Sequence, residues 1–329
     1  MASTSINVPG AGPVAGSRSF ISRLRSGDEI ARLITFLFAM TVVLITLMLV
    51  FELWVGSALP RHKFGLSFFF TRVWDPIAED FGALPFIYGT LVTATVALVL
   101  AVPLGIGAAI FLAELAPQKI SDTLQFFIDL LAAVPSVIYG LLGVFILIPL
   151  MREWIQPALK NTLGFLPLFQ GPAYGVGFFT AGLVLAIMVI PYIISVSREV
   201  LMSVPRDQRE AALALGSTRW ESTWRVVVPF AKTGIMGSIF LALARALGET
   251  MAVTMVIGNT PTISASLFSP GYSIAAVIAN EFTEATGDMY LSALIELGLV
   301  LFLLTFILNG LARLLMLLTT RRGSGMGHT

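Results

Sequence analysis

The sequence predicts an all-α integral membrane protein with six transmembrane helices, and three observations predict it. Of its 329 residues, 57% are hydrophobic and only 12% are charged, where a soluble domain carries about 25% charged residues. Six stretches are apolar over the length that crosses a bilayer, about 20 residues as a helix. Lysine and arginine crowd onto alternate connections, thirteen on one side of the spans and five on the other. Positive charge stays inside, so the thirteen and both termini are expected in the cytosol.

Taken in order, residues 1–31 form a small, polar, basic tail with Arg18, Arg23 and Arg25, too poor in apolar side chains to fold and expected to be disordered. The first span, 32–55, exceeds a signal-peptide core, and no clear small-residue cleavage site follows it, so it reads as a retained anchor. Residues 56–85 read as an outer loop whose aromatics, Phe68, Phe69, Phe70 and Trp74, are expected near the membrane surface. A core of five spans then covers 86–318. The second span, 86–113, holds Pro103 and Gly105 and should kink. The third, 123–150, contains Asp129 and Pro135, and a loop bearing Gly and Pro follows over 151–175. The fourth, 176–197, is interrupted by Pro191; the fifth covers 234–258 and the sixth 291–318. Between the last two lies an outer loop, 259–290, without lysine or arginine, and the tail 319–329 is short and basic.

Residues 203–230, between the fourth and fifth spans, are charged and amphipathic and cannot lie in hydrocarbon. Pro205 suits a first helical position. Arg206 to Leu215 reads as a short helix with Gly216 just past its end. Thr218 and Glu221 form a capping box for a second helix, which Pro229 should close. The insert is therefore helix, glycine turn, helix, with Arg206, Arg209, Arg219 and Arg225 on it.

Several chemistries are excluded. Cysteine is absent, so there are no disulfides or cysteine-held metals. His62 and His328 sit in a loop and at the extreme C-terminus and give no basis for a metal site. None of the four lysines ends a phosphate-loop run, and no HExxH or GxSxG pattern occurs. The chain is expected to be no enzyme, and any ATP chemistry must come from a separate chain. A net charge of +1 gives no case for nucleic acid.

The fifth span carries Arg245 and Glu249, four residues apart and so on one face of a continuous helix, able to pair. A charge inside the membrane costs at least about 2.5–3.5 kcal/mol and marks a functional site by default. The flanking Ala244, Gly248 and Ala252 permit close helix packing. The pair either fixes packing alone or lies on a solute path, where Arg245 can grip two oxygens of a tetrahedral oxyanion and Glu249 neutralises it when empty. Asp129 and Glu296 are weaker candidates, read first as helix-end or interhelical hydrogen-bonding groups. Thr90, Thr93 and Thr95 are read first as bonding their own backbone.

The spacing Glu210-Ala211-Ala212, then Gly216, then Val226-Val227-Val228-Pro229 resembles the EAA loop of importer-type ABC permeases, with valine at both aliphatic positions. The resemblance implies a type I importer permease (MetI-like) fold. It implies a coupling helix that docks on an ATPase, with Glu210, Ala211, Ala212, Gly216, Arg209 and Pro229 as coupling residues. The stretches YGTLVT (88–93), LAAVPSVIYG (131–140), GPAYGVG (171–177), IMVIPYI (187–193) and RALGETMAVTMVIGNT (245–260) resemble PstC-type permeases of the phosphate importer. That resemblance covers roughly residues 64–315.

What the resemblance implies is a subunit of an ATP-driven importer that moves inorganic phosphate by alternating access in a bacterial cytoplasmic membrane. Its partners would be a homologous PstA-like permease, a PstB-like ATPase dimer and a PstS-like extracytoplasmic phosphate-binding protein. ATP and Mg2+ would sit in the ATPase, with no cofactor on this chain. Arg245 and Glu249 would serve phosphate transport. The alternatives are a permease for sulfate or molybdate, which a midplane arginine cannot distinguish from phosphate, and an ATP-independent secondary transporter or channel. A membrane sensor of phosphate signalling is compatible as an added role.

Overall fold

The computed structural model describes the backbone of residues 28–323; residues 1–27 of the basic tail expected over 1–31 and the last residues of the C-terminal tail lie outside it, and residues 28–31 are helical. It falls into two compact units, residues 1–52 and 53–329. The described part of the first is one helix. Helix α1, Asp28–Gly56, begins four residues before the expected span and carries it. Its apolar side chains from Leu33 to Leu49 are exposed all round, the pattern of a helix whose solvent is lipid.

The second unit is helical apart from one short hairpin. Its elements are α2 (Ala58–Phe64), β1 (Trp74–Asp75) and β2 (Asp80–Phe81). There follow α3 (Leu84–Leu115), α4 (Gln118–Ala132), α5 (Ser136–Leu163), α6 (Phe178–Met202) and α7 (Arg206–Ala214). The chain ends with α8 (Arg219–Gly248), α9 (Met251–Thr254), α10 (Ile274–Glu281) and α11 (Asp288–Gly323). Among the described residues, six helices are long and apolar enough to cross a membrane: α1, α3, α5, α6, α8 and α11.

Several boundaries depart from the sequence expectations, mostly at prolines. Proline lacks an N–H, and its ring clashes with the carbonyl four residues back. Four π turns, 111–115, 143–147, 151–155 and 223–227, each end two residues before a proline: Pro117, Pro149, Pro157 and Pro229. The wider turn moves that carbonyl off the ring, and in three cases the helix runs on. Pro229 therefore does not close the second insert helix, which continues as α8. The region read as a loop after residue 150 is helical to Leu163. Pro135, by contrast, splits the third span: α4 ends at Ala132 and α5 starts at Ser136. Asp129 thus lies on the preceding amphipathic helix and not in a span.

The outer segment 56–85 is also more ordered than expected. Phe68 and Phe81 are fully buried, packed with Phe86, Tyr272, Leu294 and Leu297 in a core beside the hairpin. The Trp74 ring lies 4.8 Å edge-on from both Phe81 and Phe86. Glu281 accepts hydrogen bonds from Trp74 Nε1 (2.8 Å) and the Tyr290 hydroxyl (2.7 Å), tying the hairpin to α10 and α11. Of these outer aromatics only Phe70 is exposed. Burial pushes the Tyr272 hydroxyl of the same nest up to about 12.

The main core joins α3, α6, α8 and α9 through small residues, among them Ala97, Ala101, Ala181, Ala242, Ala246 and Ala252. A Cβ on Gly182 would come within 2.5 Å of Val96, and one on Gly89 within 2.0 Å of the Tyr272 carbonyl oxygen. Without hydrophobic driving force in lipid, such close backbone approach is what holds helices together. Ser197 on α6 and Ser238 on α8 share a buried hydrogen bond of 2.8 Å. Thr90 and Thr93 donate to the carbonyls of Phe86 and Gly89, as expected for membrane threonines.

Candidate functional site

Arg245 is three residues before the end of α8, where the helix stops at Gly248. Glu249 is extended (φ −71°, ψ 127°), and the chain turns again only at α9. The expected continuous helix is broken, and with it the expected pairing: no ion pair joins Arg245 and Glu249. The Glu249 carboxylate instead accepts the Ala252 N–H at 3.2 Å, capping α9 and satisfying one of the donors a helix start leaves free. The Arg245 guanidinium stacks on the Tyr192 ring of α6, 4.4 Å from its centroid. Its buried Nε has no hydrogen-bond partner among the described residues.

The depth of this break follows from its neighbours. Tyr192 is near the middle of α6, the most buried of the six spans. Past the break, a Cβ on Gly140 would meet Ala252 and Met255, and the Val256 carbonyl accepts the Gly177 N–H at 3.1 Å, next to the first residue of α6. Residues 249–250 therefore unwind about halfway along α6. Open backbone at membrane depth survives only where protein covers it or water fills a cavity beside it. Gly248 is exposed, and a Cβ there would meet nothing within 4 Å. The break thus faces a free surface of the chain, with a half-buried arginine and carboxylate beside it.

Of the weaker candidates, Asp129 makes an interhelical hydrogen bond. Asp129 accepts from Gln125 Nε2 (2.7 Å) and from Ser195 Oγ on α6 (2.8 Å). Glu296 is 2% exposed, and its Oε2 has no partner among the described residues.

The second site is the insert, where the glycine turn and the capping box match the local reading and Pro205 and Pro229 do not. Gly216 has φ +85°, the left-handed turn expected after α7. Its N–H donates to Leu213 (2.9 Å) and that of Ser217 to Ala212 (3.3 Å). Thr218 and Glu221 form both halves of the capping box. Pro205 stands one residue earlier than expected, as the cap before α7. Glu210 is exposed and has no ion-pair partner among the described residues. Ala211 and Ala212 line an open recess of about 530 Å³ with Gln208, Gly216 and Arg225. Leu215, 91% exposed, stands at its rim. Within the insert, the Trp220 and Trp224 rings pack at 5.6 Å against each other and flank the end of α3. Tryptophans favour the membrane–water interface, so α7 and its turn project past it. Arg209 points the other way, into the helix ends.

Two functional candidates escaped the sequence reading. Tyr192 lies within the quoted IMVIPYI stretch, but nothing in its spacing to Arg245 shows the stack. Glu114, in the last turn of α3, is the ion-pair partner of Arg209.

The family described as "Binding-protein-dependent transport system inner membrane component" matches residues 101–316. The phosphate transport system permease protein PstC of Pasteurella multocida is 50% identical over 284 residues, 85% of this chain and 88% of its own. That of Mesorhizobium japonicum is 48% identical over 83% of this chain and 85% of its own. A probable PstC of Methanocaldococcus jannaschii is 39% identical over 87% of this chain and 92% of its own. Among solved structures, a chain of a bacterial ABC transporter that imports the polysaccharide alginate aligns with TM-score 0.55 at 16% identity, over 88% of this chain and 98% of its own. A chain of the inward-facing MetNI methionine ABC transporter aligns with TM-score 0.53 at 15% identity, over 74% and 98%. These two establish the likeness of fold.

Proposed function

The chain belongs to the binding-protein-dependent transport permeases, and within them to the PstC type, and on that premise we propose that it is a membrane subunit of an ATP-driven importer of inorganic phosphate. It is a multi-pass membrane protein with no ATPase of its own; ATP and Mg2+ belong to a separate subunit. The assembly comprises a second, homologous permease, an ATPase dimer and an extracytoplasmic phosphate-binding protein, in a bacterial cytoplasmic membrane. The insert and both termini face the cytosol, as the distribution of lysine and arginine requires.

The observation that carries the solute path is the break at Glu249–Thr250 beside Arg245. Discontinuous helices at mid-depth are how many transporters place backbone and charge against a solute. The Arg245 guanidinium is always charged and matches two oxygens of a phosphate at once. The Tyr192 ring face, not Glu249, covers the cation; a stack of this kind is worth about 0.5–2 kcal/mol, depending on desolvation. An anion that offers charge-assisted hydrogen bonds can displace it without meeting a pre-formed ion pair. Glu249 holds the unwound segment in shape through Ala252 and keeps a negative charge nearby that opposes permanent capture.

At the other end, the recess beside Ala211 and Ala212 receives the ATPase, with the exposed Glu210 and the turn at Gly216 setting register. Closure of the ATPase dimer on ATP brings the two coupling helices of the permease pair together and opens the path outward. Phosphate then passes from the docked binding protein, and hydrolysis restores the inward-open state.

The test is uptake by proteoliposomes holding the four-part assembly, with binding protein outside and ATP inside, comparing labelled phosphate with sulfate. ATP-dependent uptake of phosphate alone is expected. Uptake of sulfate alone would overturn the substrate; uptake by this chain alone, without ATP, would overturn the coupling.

A further inference from the structure

We propose that Arg209 and Glu114 clamp the coupling loop to the ends of α3 and α6, so that a push on α7 moves these membrane helices with it. The proposal rests on the coupling-loop reading above and assigns the residues that transmit the motion. Glu114 lies in the π turn that ends α3. Arg209 Nη2 approaches its Oε1 to 2.8 Å, and Nε lies 3.3 and 3.2 Å from Oε1 and Oε2, so both carboxylate oxygens are engaged. The remaining donors cap α6: Nη2 donates to the Leu201 carbonyl (2.7 Å) and Nη1 to that of Val204. Leu201 is among the last carbonyls of α6, beyond the reach of the helix's own i→i−4 ladder, and it also accepts the Val204 N–H at 3.3 Å. One side chain of α7 therefore joins three segments.

The clamp is the tie of α7 itself to those helices, while the ends of the loop pack on them through the buried Val204 and Val227. No residue of α7 is buried, so apolar packing does not fasten it. Of the loop's other side-chain hydrogen bonds among the described residues, Ser203 donates to the Val200 carbonyl of α6 (2.7 Å), and Ser217 to Ala212, Thr218 with Glu221 and Thr223 to Arg219 stay within the insert. The pair is sheltered: the Arg209 and Glu114 side chains are 21% and 10% exposed. The other ion pair, Arg198 with Asp122, spans 3.2 Å with its carboxylate 61% exposed, where water screens it and such pairs contribute little. A planar guanidinium bonded in the directions of both a carboxylate and two carbonyls resists rotation as well as separation. Arg209 and Glu114 are positioning residues: they touch neither solute nor nucleotide.

The chain has no cysteine, which allows a direct test in the complete importer. With Glu114→Cys and Arg209→Cys together, the stimulation of ATP hydrolysis by loaded binding protein should fall at least about tenfold, and phosphate uptake with it. A short bis-maleimide joining the two thiols should restore most of both, while either single variant treated alike should gain nothing. Normal coupling in the untreated double variant, or a joined variant that remains inactive, would overturn the proposal. If the double variant does not assemble, Glu114→Gln decides, since it keeps shape and loses charge: an unchanged ratio of stimulated to basal hydrolysis overturns the clamp. Failure of the underlying coupling-loop reading would show separately, as full ATPase co-purification with an Ala211→Trp variant.

Discussion

Gly216 offers a quantitative handle on the coupling loop, because the cost of substituting it is purely conformational. Its φ is +85°, and a Cβ built there meets nothing within 4 Å. A β-branched residue in that left-handed turn costs about 2 kcal/mol. Replacing glycine also removes freedom from the unfolded chain, which returns about 0.4–1 kcal/mol. The net for Gly216→Val is about 1–1.5 kcal/mol, close to a tenfold change in local opening at 1.36 kcal/mol per decade. Asparagine tolerates this region, so Gly216→Asn should be near neutral. Hydrogen exchange in the assembled importer reads the difference at the Gly216 and Ser217 amides, which donate to Leu213 and Ala212. Tenfold faster exchange is expected for valine and less than about twofold for asparagine, with weaker stimulation of ATP hydrolysis by binding protein in valine only. Equal exchange in all three forms would refute the assignment of Gly216 as the strained hinge of the loop.

Other outcomes follow from the broken helix and the core. Arg245→Ala should abolish phosphate uptake while the assembly still co-purifies; normal uptake would remove Arg245 from the path. Tyr192→Phe keeps the ring face and should transport nearly as the parent, whereas Tyr192→Leu, losing about 0.5–2 kcal/mol of stacking, should reduce uptake severalfold; equal behaviour of the two would show that the stack is incidental. Glu249→Gln retains an oxygen for the Ala252 N–H and should preserve thermal stability, while Glu249→Ala leaves that donor without its cap and should lower stability by about 1 kcal/mol, measured by thermal unfolding in detergent. Gly89→Ala places a carbon 2.0 Å from the Tyr272 carbonyl oxygen and should cost about 1–3 kcal/mol as overpacking, read as a lower unfolding temperature.

Local pattern carried much of this protein. Long apolar stretches with no room for backbone outside helices determined the six spans, because hydrocarbon offers unpaired N–H and C=O groups no partner. The insert was legible almost residue by residue, from Thr218 and Glu221 to the positive φ of Gly216, since caps and turns depend on neighbours three or four positions away. The candidate residues Arg245 and Glu249 were equally visible, as charges where charge is expensive.

What their side chains do was decided by tertiary structure. A spacing of four predicts a pair only while the helix continues, and nothing local announces that α8 stops at Gly248. The stack of Arg245 on Tyr192 and the clamp of Arg209 on Glu114 join residues 53 and 95 positions apart in the chain, beyond the reach of any periodicity. Proline behaved the same way: Pro135 separates two helices, whereas Pro149, Pro157 and Pro229 are absorbed by π turns. The ring imposes the same local clash at every site, and whether a wider turn or a break relieves it depends on which neighbouring helices the next segment must meet.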